Sequence, residues 1–167
     1  MKHLRSIGIF LVTAILSASA AAQVSNTEGT ATICVQPKLS VVKIADADWG
    51  KVVPPATGIA TYLLDYRTGR VSCQSGGGFA FGDGHRGEFL VSGAPGAPIA
   101  YSVNMTMLGG EGMTIVSTVV NGNLERGDDQ IGADGTYSIK IGGALQLTSS
   151  AAMDSHSLIV TVTVNYN

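Results

Sequence analysis

The stretch from Leu158 to Asn167 restricts the fold more than any other part of the chain. Its apolar residues alternate with polar ones: Val160, Val162, Val164 and Tyr166 against Thr161, Thr163 and Asn165. Because successive side chains of a strand point to opposite faces, this pattern predicts a strand with one buried face. The β-branched and aromatic side chains favour the same structure.

Further short stretches of this kind precede it. Ile59 to Tyr66 and Arg70 to Gln74 flank a turn at Gly69, which predicts a hairpin, and Ile99 to Met107 alternates clearly. We count about seven to nine short strands with turn signals between them and no amphipathic helix. The sequence therefore predicts an all-β fold, an antiparallel immunoglobulin-like β-sandwich, with an up-and-down barrel as the alternative.

Three local features refine this prediction. Trp49 is the single tryptophan and is expected to fill the core. Asn121 to Gly135 is polar and begins with an Asn-Gly turn pair, so it is interpreted as a loop. The Gly142-Gly143 pair is interpreted as a β-bulge within a strand from Thr136 to Leu147.

The first 22 residues have the pattern of a secretory signal peptide. Lys2 and Arg5 precede an apolar run from Ile7 to Leu16, and small residues follow up to Ala22. A transmembrane anchor is the alternative, but the run is short and no basic residues follow it. We expect residues 1–22 to be removed and residues 23–167 to form one exported domain.

Charge and hydropathy exclude two classes of partner. Without Lys2 and Arg5, 8 basic residues face 12 acidic ones, so the net charge is −4. This balance offers no basic surface for nucleic acid. No later segment is long and apolar enough for a membrane span.

Cys34 and Cys73 are the two cysteines. In an exported protein such a pair predicts a disulfide. The bond would close a loop of about 40 residues and stabilise the fold by roughly 4 kcal/mol in the chain-entropy model. A metal or redox site is the alternative, but the chain has no C-x-x-C motif and no histidine close in sequence to either cysteine.

Two stretches match the residue patterns of enzyme motifs but lack the local structure that those motifs require. Gly82 to Gly87 satisfies G-x-G-x-x-G, yet a strand follows it where dinucleotide binding needs a helix. Ser40 and Lys43 have S-x-x-K spacing, but on a strand they point to opposite faces. No Ser-His-Asp arrangement is present either, so we predict no enzymatic activity and no catalytic residues.

Other polar groups give weak signals. Asp83, His85 and Glu88 form one acidic and histidine group, and the four acidic residues Glu125, Asp128, Asp129 and Asp134 form another. Neither has the order of a calcium loop, and both are interpreted as solvated loops, so no metal and no cofactor is predicted. Arg126-Gly127-Asp128 is the tripeptide that integrins bind, but three residues recur often by chance.

An ordered set of segments resembles a known family. The segments are Pro37 to Val41, Ala47 to Gly50, Val52 to Pro54, Phe89 to Gly96 with Ala100-Tyr101, Ile141 to Leu145, and Val160 to Tyr166. Together they resemble the bacterial secreted family called domain of unknown function 4402, from about Ala31 onward. Members of that family resemble fimbrial subunits and spore-coat-U-type proteins.

The resemblance implies a structural subunit of a fimbria-like or pilus-like surface fibre. It implies a sandwich that lacks one strand, which a periplasmic chaperone fills until a neighbouring subunit replaces it at an outer-membrane usher. The protein would cross the periplasm and then reside in the fimbrium, at the cell surface or outside the cell.

The same resemblance assigns roles to both ends of the chain. The pairing edge would be the closing strand, with its inward residues Val160, Val162, Val164 and Tyr166. The donor would be residues 23–35, whose apolar side chains are few: Val24, Ala31 and Ile33. A self-contained secreted binding module for surface glycans or adhesion, with its site on the loops 79–87 and 121–135, is the alternative function.

Overall fold

The computed structural model describes Ile33 and residues 35–167, and this part of the chain consists of β-strands and connections without a helix. The strands are β1 (Ser40–Ala45), β2 (Lys51–Val53), β3 (Ile59–Leu64), β4 (Val71–Ser75), β5 (Phe79–Phe81), β6 (Gly87–Ser92), β7 (Pro98–Leu108), β8 (Met113–Val120), β9 (Asn123–Leu124), β10 (Arg126–Gln130), β11 (Thr136–Thr148) and β12 (Ser157–Tyr166). All their pairings are antiparallel. The predicted all-β class is confirmed, with more strands than expected because β2, β5 and β9 are very short.

The strands form two main sheets and one small one. The first sheet has the order β1-β6-β11-β3-β4, and β8 and β9 extend it from β11. The second sheet has the order β10-β7-β12, and β2 pairs with β5 in a separate ribbon. Both main sheets contribute to one buried cluster, which contains Tyr62 and Ile139 of the first sheet and Tyr101 and Val103 of the second. This is a two-layer arrangement around a shared core; its immunoglobulin-like topology stays a prediction.

The predicted hairpin is present as β3 and β4. Asp65 organises its turn, since its carboxylate accepts hydrogen bonds from the backbone N–H groups of Arg67 at 2.7 Å and Thr68 at 3.2 Å. Gly69 has a φ of 72°, a conformation that glycine adopts without steric cost. The local sequence therefore determines this turn directly.

The predicted bulge at Gly142-Gly143 is wrong in position. Burial along β11 continues on the same alternate residues through the glycine pair, from Ile141 to Leu145. The register shift lies instead between Ala144 and Leu145, where β8 contributes Val116 as an extra residue. Glycine is needed in β11 for space, because a Cβ at Gly142 would lie 2.3 Å from the carbonyl oxygen of Leu64.

The loop interpretation of residues 121–135 is also wrong. The segment contains β9 and β10, and β10 pairs with β7 along its whole length. Sequence analysis missed β10 because most of its side chains are exposed, so it lacks apolar alternation. Asn121 makes the turn between β8 and β9. It has a φ of 47°, and its side-chain oxygen accepts a hydrogen bond from Lys140 N at 2.8 Å.

In the part of the chain that the structure describes, no helix is long and apolar enough to cross a membrane.

Candidate functional site: a groove between two edge strands

β12 and β1 each have an edge that no other described strand covers. β12 pairs only with β7, and β1 pairs only with β6, within residues 35–167. The two edges face the same void between the sheets, which is lined by Lys43 of β1 and by Leu158 and Val160 of β12. We call this void and the adjoining edge of β12 the groove.

The groove has an apolar floor and a polar rim. Its void has a volume of about 880 Å³. Its floor consists of large apolar side chains from both sheets and from the β1–β2 connection: Trp49, Phe89, Met107, Leu145, Leu147 and Leu158. Charged and polar residues line the rim, among them Lys43, Asp46, Asp154 and His156. An uncovered strand edge beside large apolar side chains is unusual, because such an edge promotes aggregation.

The pairing register shows which side chains of the two edge strands point inward. Val41 lies opposite Val91, and Lys43 opposite Phe89, so Val41 and Lys43 are on the core side of β1. Val41 nevertheless remains 40% exposed. On β12, the predicted inward residues Val160, Val162, Val164 and Tyr166 do face the core, as the sequence analysis expected, but all are only half-buried.

One end of the groove is closed by Tyr166. Its hydroxyl donates a hydrogen bond to the carbonyl oxygen of Pro37 at 2.7 Å and accepts one from the backbone N–H of Ala94 at 2.9 Å. The chain therefore enters β1 beside the C-terminal end of β12. The open void lies at the other end, beside Leu158.

Trp49 forms part of the floor of the void. It is 6% exposed and belongs to the core cluster, so the predicted core role is confirmed. An Asp-Trp-Gly turn holds it, in which the Asp48 carboxylate accepts a hydrogen bond from Gly50 N at 2.8 Å and Gly50 has a φ of 62°. The indole nitrogen Nε1 is buried and has no hydrogen-bond acceptor among the described residues.

The segment that precedes β1 is described only at its end. Ile33 is 84% exposed and Val35 is 86% exposed, so neither side chain fills the groove. The other predicted donor residues, Val24 and Ala31, lie outside the described residues.

The disulfide prediction is not tested, because Cys34 also lies outside the described residues. Its predicted partner, Cys73, is half-buried in β4 and donates a hydrogen bond from its thiol to the carbonyl oxygen of Ser75 at 3.3 Å. Burial, with a further contribution from Cys73, raises the pKa of the neighbouring Tyr62 phenol.

The two enzyme-like stretches lie on strands and a loop. Residues 82–86 connect β5 to β6, and Gly87 is the first residue of β6. Ser40 and Lys43 lie on opposite faces of β1, as the paired residues Ser92 and Phe89 of β6 show. Neither stretch has the helix that its motif requires.

The acidic groups do not converge. Among the described residues, no group of three or more histidine, cysteine, aspartate or glutamate side chains is arranged to hold a metal ion. The Arg-Gly-Asp tripeptide lies within β10, where Arg126 pairs with Ser102 and Asp128 with Ala100. It is therefore part of a sheet and does not form a loop tip.

A second concavity lies on the outer face of the β10-β7-β12 sheet. It has a volume of about 530 Å³, and polar side chains of all three strands lie beside apolar surface in its lining: Ser102, Asn104, Arg126, Asp128, Thr161, Thr163 and Asn165. It includes part of the predicted loop 121–135, whereas the other predicted loop, 79–87, contributes nothing to it.

A hydrogen-bonded cluster fixes β10 against the rest of the domain. The Tyr137 hydroxyl donates to the Asp129 carboxylate at 2.8 Å and accepts from the Asn121 side-chain amide at 2.7 Å. Its ring packs against that of Tyr101, with centroids 5.8 Å apart. Burial, followed by the hydrogen bonds to Tyr101 and Asp129, raises the pKa of Tyr137 above its ordinary value of 10.0.

Comparison with known proteins gives one match. No curated protein and no solved structure matches the chain at a significant level. The model of one family, described as a domain of unknown function (DUF4402), matches residues 39–166. This range holds the two edge strands and nearly all of the described domain. The chain therefore belongs to the DUF4402 family.

Proposed function

We propose that this protein is an exported, non-enzymatic structural subunit of a fimbria-like surface fibre assembled by β-strand complementation. The observation that carries the proposal is the groove, in which the edges of β1 and β12 border a void of about 880 Å³ with an apolar floor and a polar rim. An exposed strand edge beside an apolar cleft is the usual receptor for an extended peptide, because main-chain hydrogen bonds and side-chain pockets are both available.

Residues 23–35 of a second copy are the proposed occupant. Thirteen residues span up to ~43 Å when extended, and the ten residues of β12 extend over roughly 33 Å. The segment is therefore long enough to cover the whole edge. The exposure of Ile33 and Val35 supports a segment that is available to a neighbour.

The position of Pro37 suggests the direction of assembly. Because Tyr166 contacts Pro37, the chain that follows the donor segment 23–35 enters the domain at the Tyr166 end of the groove. A linear fibre needs the donating subunit at the opposite, Leu158 end, so the incoming strand would run antiparallel to β12. A parallel strand would place both domains at one end and favour a closed dimer.

The family resemblance adds expected partners. A periplasmic chaperone would occupy the groove before assembly, and an outer-membrane usher would exchange it for the next subunit. Such protection is physically needed, because an uncovered strand edge beside apolar surface promotes aggregation.

The test uses the chain from Gln23 to Asn167 at increasing concentration. We expect linear oligomers by light scattering and negative-stain electron microscopy, and we expect free peptide 23–35 to shorten them by occupying terminal grooves. A chain that stays monomeric and does not bind the peptide would overturn the proposal.

Two neighbouring substitutions on β12 give a matched comparison. Val160→Asp places a charge in the groove and should abolish peptide binding, because a buried unpaired carboxylate is strongly unfavourable. Ile159→Asp places the same charge on the outer face, where Ile159 is 48% exposed, and should leave binding nearly unchanged. Equal losses in both variants would indicate general destabilisation instead of groove occupancy.

The concavity on the outer face of the β10-β7-β12 sheet favours a second candidate, a secreted binding module for surface glycans. Its hydroxyl, amide and charged groups have the donors and acceptors that sugars need. A glycan array in which binding is lost on Asp128→Ala would support it, and an array without a binder would reject it.

A further inference from the structure

Met113 and His156 bring a thioether sulfur and an imidazole nitrogen together at the Leu158 end of the groove. A Cβ atom at Gly110 would lie 3.5 Å from Met113 Sδ and 3.5 Å from His156 Nδ1. Gly110 has no side chain to fill that position, and its φ of 98° disfavours any other residue there. The two donor atoms therefore flank one small space.

Local hydrogen bonds fix the turn and the ring that present these atoms. Met113 N donates to the carbonyl oxygen of Gly110 at 3.1 Å, within the turn between β7 and β8. His156 Nε2 lies 3.2 Å from the carbonyl oxygen of Ala152. Because a carbonyl oxygen can only accept, this contact places the proton of the neutral ring on Nε2 and leaves the Nδ1 lone pair free. Metal-binding histidines are commonly oriented in this way, by a hydrogen bond from the other ring nitrogen.

A second methionine lines the same void. Met153 precedes His156 by three residues and is 91% exposed, so little packing restricts its side chain. Met113 and His156 are half-buried, so an ion can reach them from solvent. The three residues offer two thioether sulfurs and one imidazole nitrogen, without a carboxylate or a thiolate.

This set of donors selects a soft metal ion. Thioether sulfur favours Cu(I), and imidazole also suits copper, whereas Mg²⁺ and Ca²⁺ prefer oxygen ligands. We propose that Met113, Met153 and His156 bind one Cu(I) ion at the Leu158 end of the groove. All three ligands belong to one copy of the chain, so the site does not depend on the strand complementation proposed above.

The experiment is a titration of Cu(I) into the chain from Gln23 to Asn167, without oxygen and with ascorbate, in competition with the coloured chelator bicinchoninate. Free thiols also bind Cu(I), so they are first blocked with N-ethylmaleimide. We expect one ion per chain, and we expect Met113→Leu, Met153→Leu and His156→Gln each to weaken binding at least about tenfold.

Two matched variants serve as controls. Met105→Leu removes a sulfur from the core, and His85→Gln removes an imidazole from an exposed loop. Both should bind Cu(I) as tightly as the unsubstituted chain. Full affinity in any of the three ligand variants, or an equal loss in either control, would overturn the proposal.

A second measurement needs no substitution. Residues 23–167 contain four methionines, so a chain labelled with ¹³C in the methionine methyl groups gives four methyl resonances. Ag(I) has the charge and the ligand preference of Cu(I) and stays in one oxidation state. Titration with Ag(I) should shift the resonances of Met113 and Met153 and leave that of Met105 in place. Equal shifts at all four methionines would show unselective binding to thioethers and would overturn the proposed site.

Discussion

β7 and β12 have the same sequence pattern but different surroundings. They are antiparallel neighbours, and their apolar residues face each other in pairs such as Val103 with Val162 and Met105 with Val160. The β7 members of these pairs are buried, whereas the β12 members are half-buried. Two strands with equal alternation therefore differ in how completely the fold covers them.

Part of the difference arises at their second edges. β10 covers the far edge of β7 from Pro98 to Ser102, and just beyond it the Val103 N–H donates a hydrogen bond to the carbonyl oxygen of Glu125 at 2.7 Å, whereas no described strand covers the far edge of β12. β10 achieves this although it has no apolar face, because Asp129 is anchored by the Tyr137 hydroxyl. The comparison shows that alternation identifies the inward face of a strand, but a neighbouring strand determines how deeply that face is buried.

The largest expected effect comes from one substitution made on each side of a cross-strand pair. Val103→Ala removes two methyl groups from a fully enclosed site and should lower the free energy of unfolding by about 2–3 kcal/mol. Val162→Ala, directly opposite, should cost about 1 kcal/mol because its site is already open to solvent. Urea denaturation of both variants measures the difference.

Peptide 23–35 sharpens this comparison. If it covers the edge of β12, saturation should raise the cost of Val162→Ala toward that of Val103→Ala, while the cost of Val103→Ala stays constant. Equal costs for the two variants without peptide would contradict the assignment of β12 as an incompletely covered strand.

The next substitution tests how β10 is held against the far edge of β7. Tyr137→Phe removes the hydrogen bond to the Asp129 carboxylate and leaves the Asn121 amide with one partner fewer, which should cost about 2 kcal/mol. Loosening of β10 should also raise the rate of amide hydrogen exchange in β7 toward that in β12. Hydrogen exchange followed by mass spectrometry reports both strands in one experiment.

The pH dependence of stability gives an independent test of the same contact. The pKa of Tyr137 is raised in the folded state, chiefly by burial, above its ordinary value of 10.0. Its contribution to stability is therefore complete below pH 10 and declines as the pH rises above 10, where only the unfolded phenol ionises readily. Tyr137→Phe should flatten the alkaline decline relative to the unsubstituted chain.

Sequence reasoning succeeded where one local interaction determines the structure. The β3–β4 hairpin depends on Asp65 and Gly69, which lie within a few residues of each other. The inward face of β12 follows from alternation alone, and Trp49 in the core follows from its size. These features require no knowledge of which strands pair.

Sequence reasoning failed where a paired strand determines the local structure more than the residue types do. β10 consists of Arg126 to Gln130 and has no apolar signal, so only its pairing with β7 reveals it. The extra residue of the β8–β11 bulge is Val116, although glycines in the partner strand suggested another place. In both cases the deciding contacts come from a distant part of the chain.

The groove illustrates the same limit. The family resemblance implied a missing strand, but the sequence alone does not show that Lys43 and Leu158 line a single void.

The smallest expected effect concerns the contact between the C-terminal end of β12 and the segment that precedes β1. Tyr166→Phe keeps the aromatic ring, but it removes the hydrogen bonds to Pro37 and Ala94 and should cost about 1 kcal/mol. Because these bonds hold the start of β1 beside β12, their loss should increase hydrogen exchange at both strands near this end and leave the Leu158 end unchanged. Peptide 23–35 should then bind with altered kinetics, since one end of its site has become mobile. A uniform increase in exchange along all of β12 would instead show that Tyr166 does not separate a closed end from an open one.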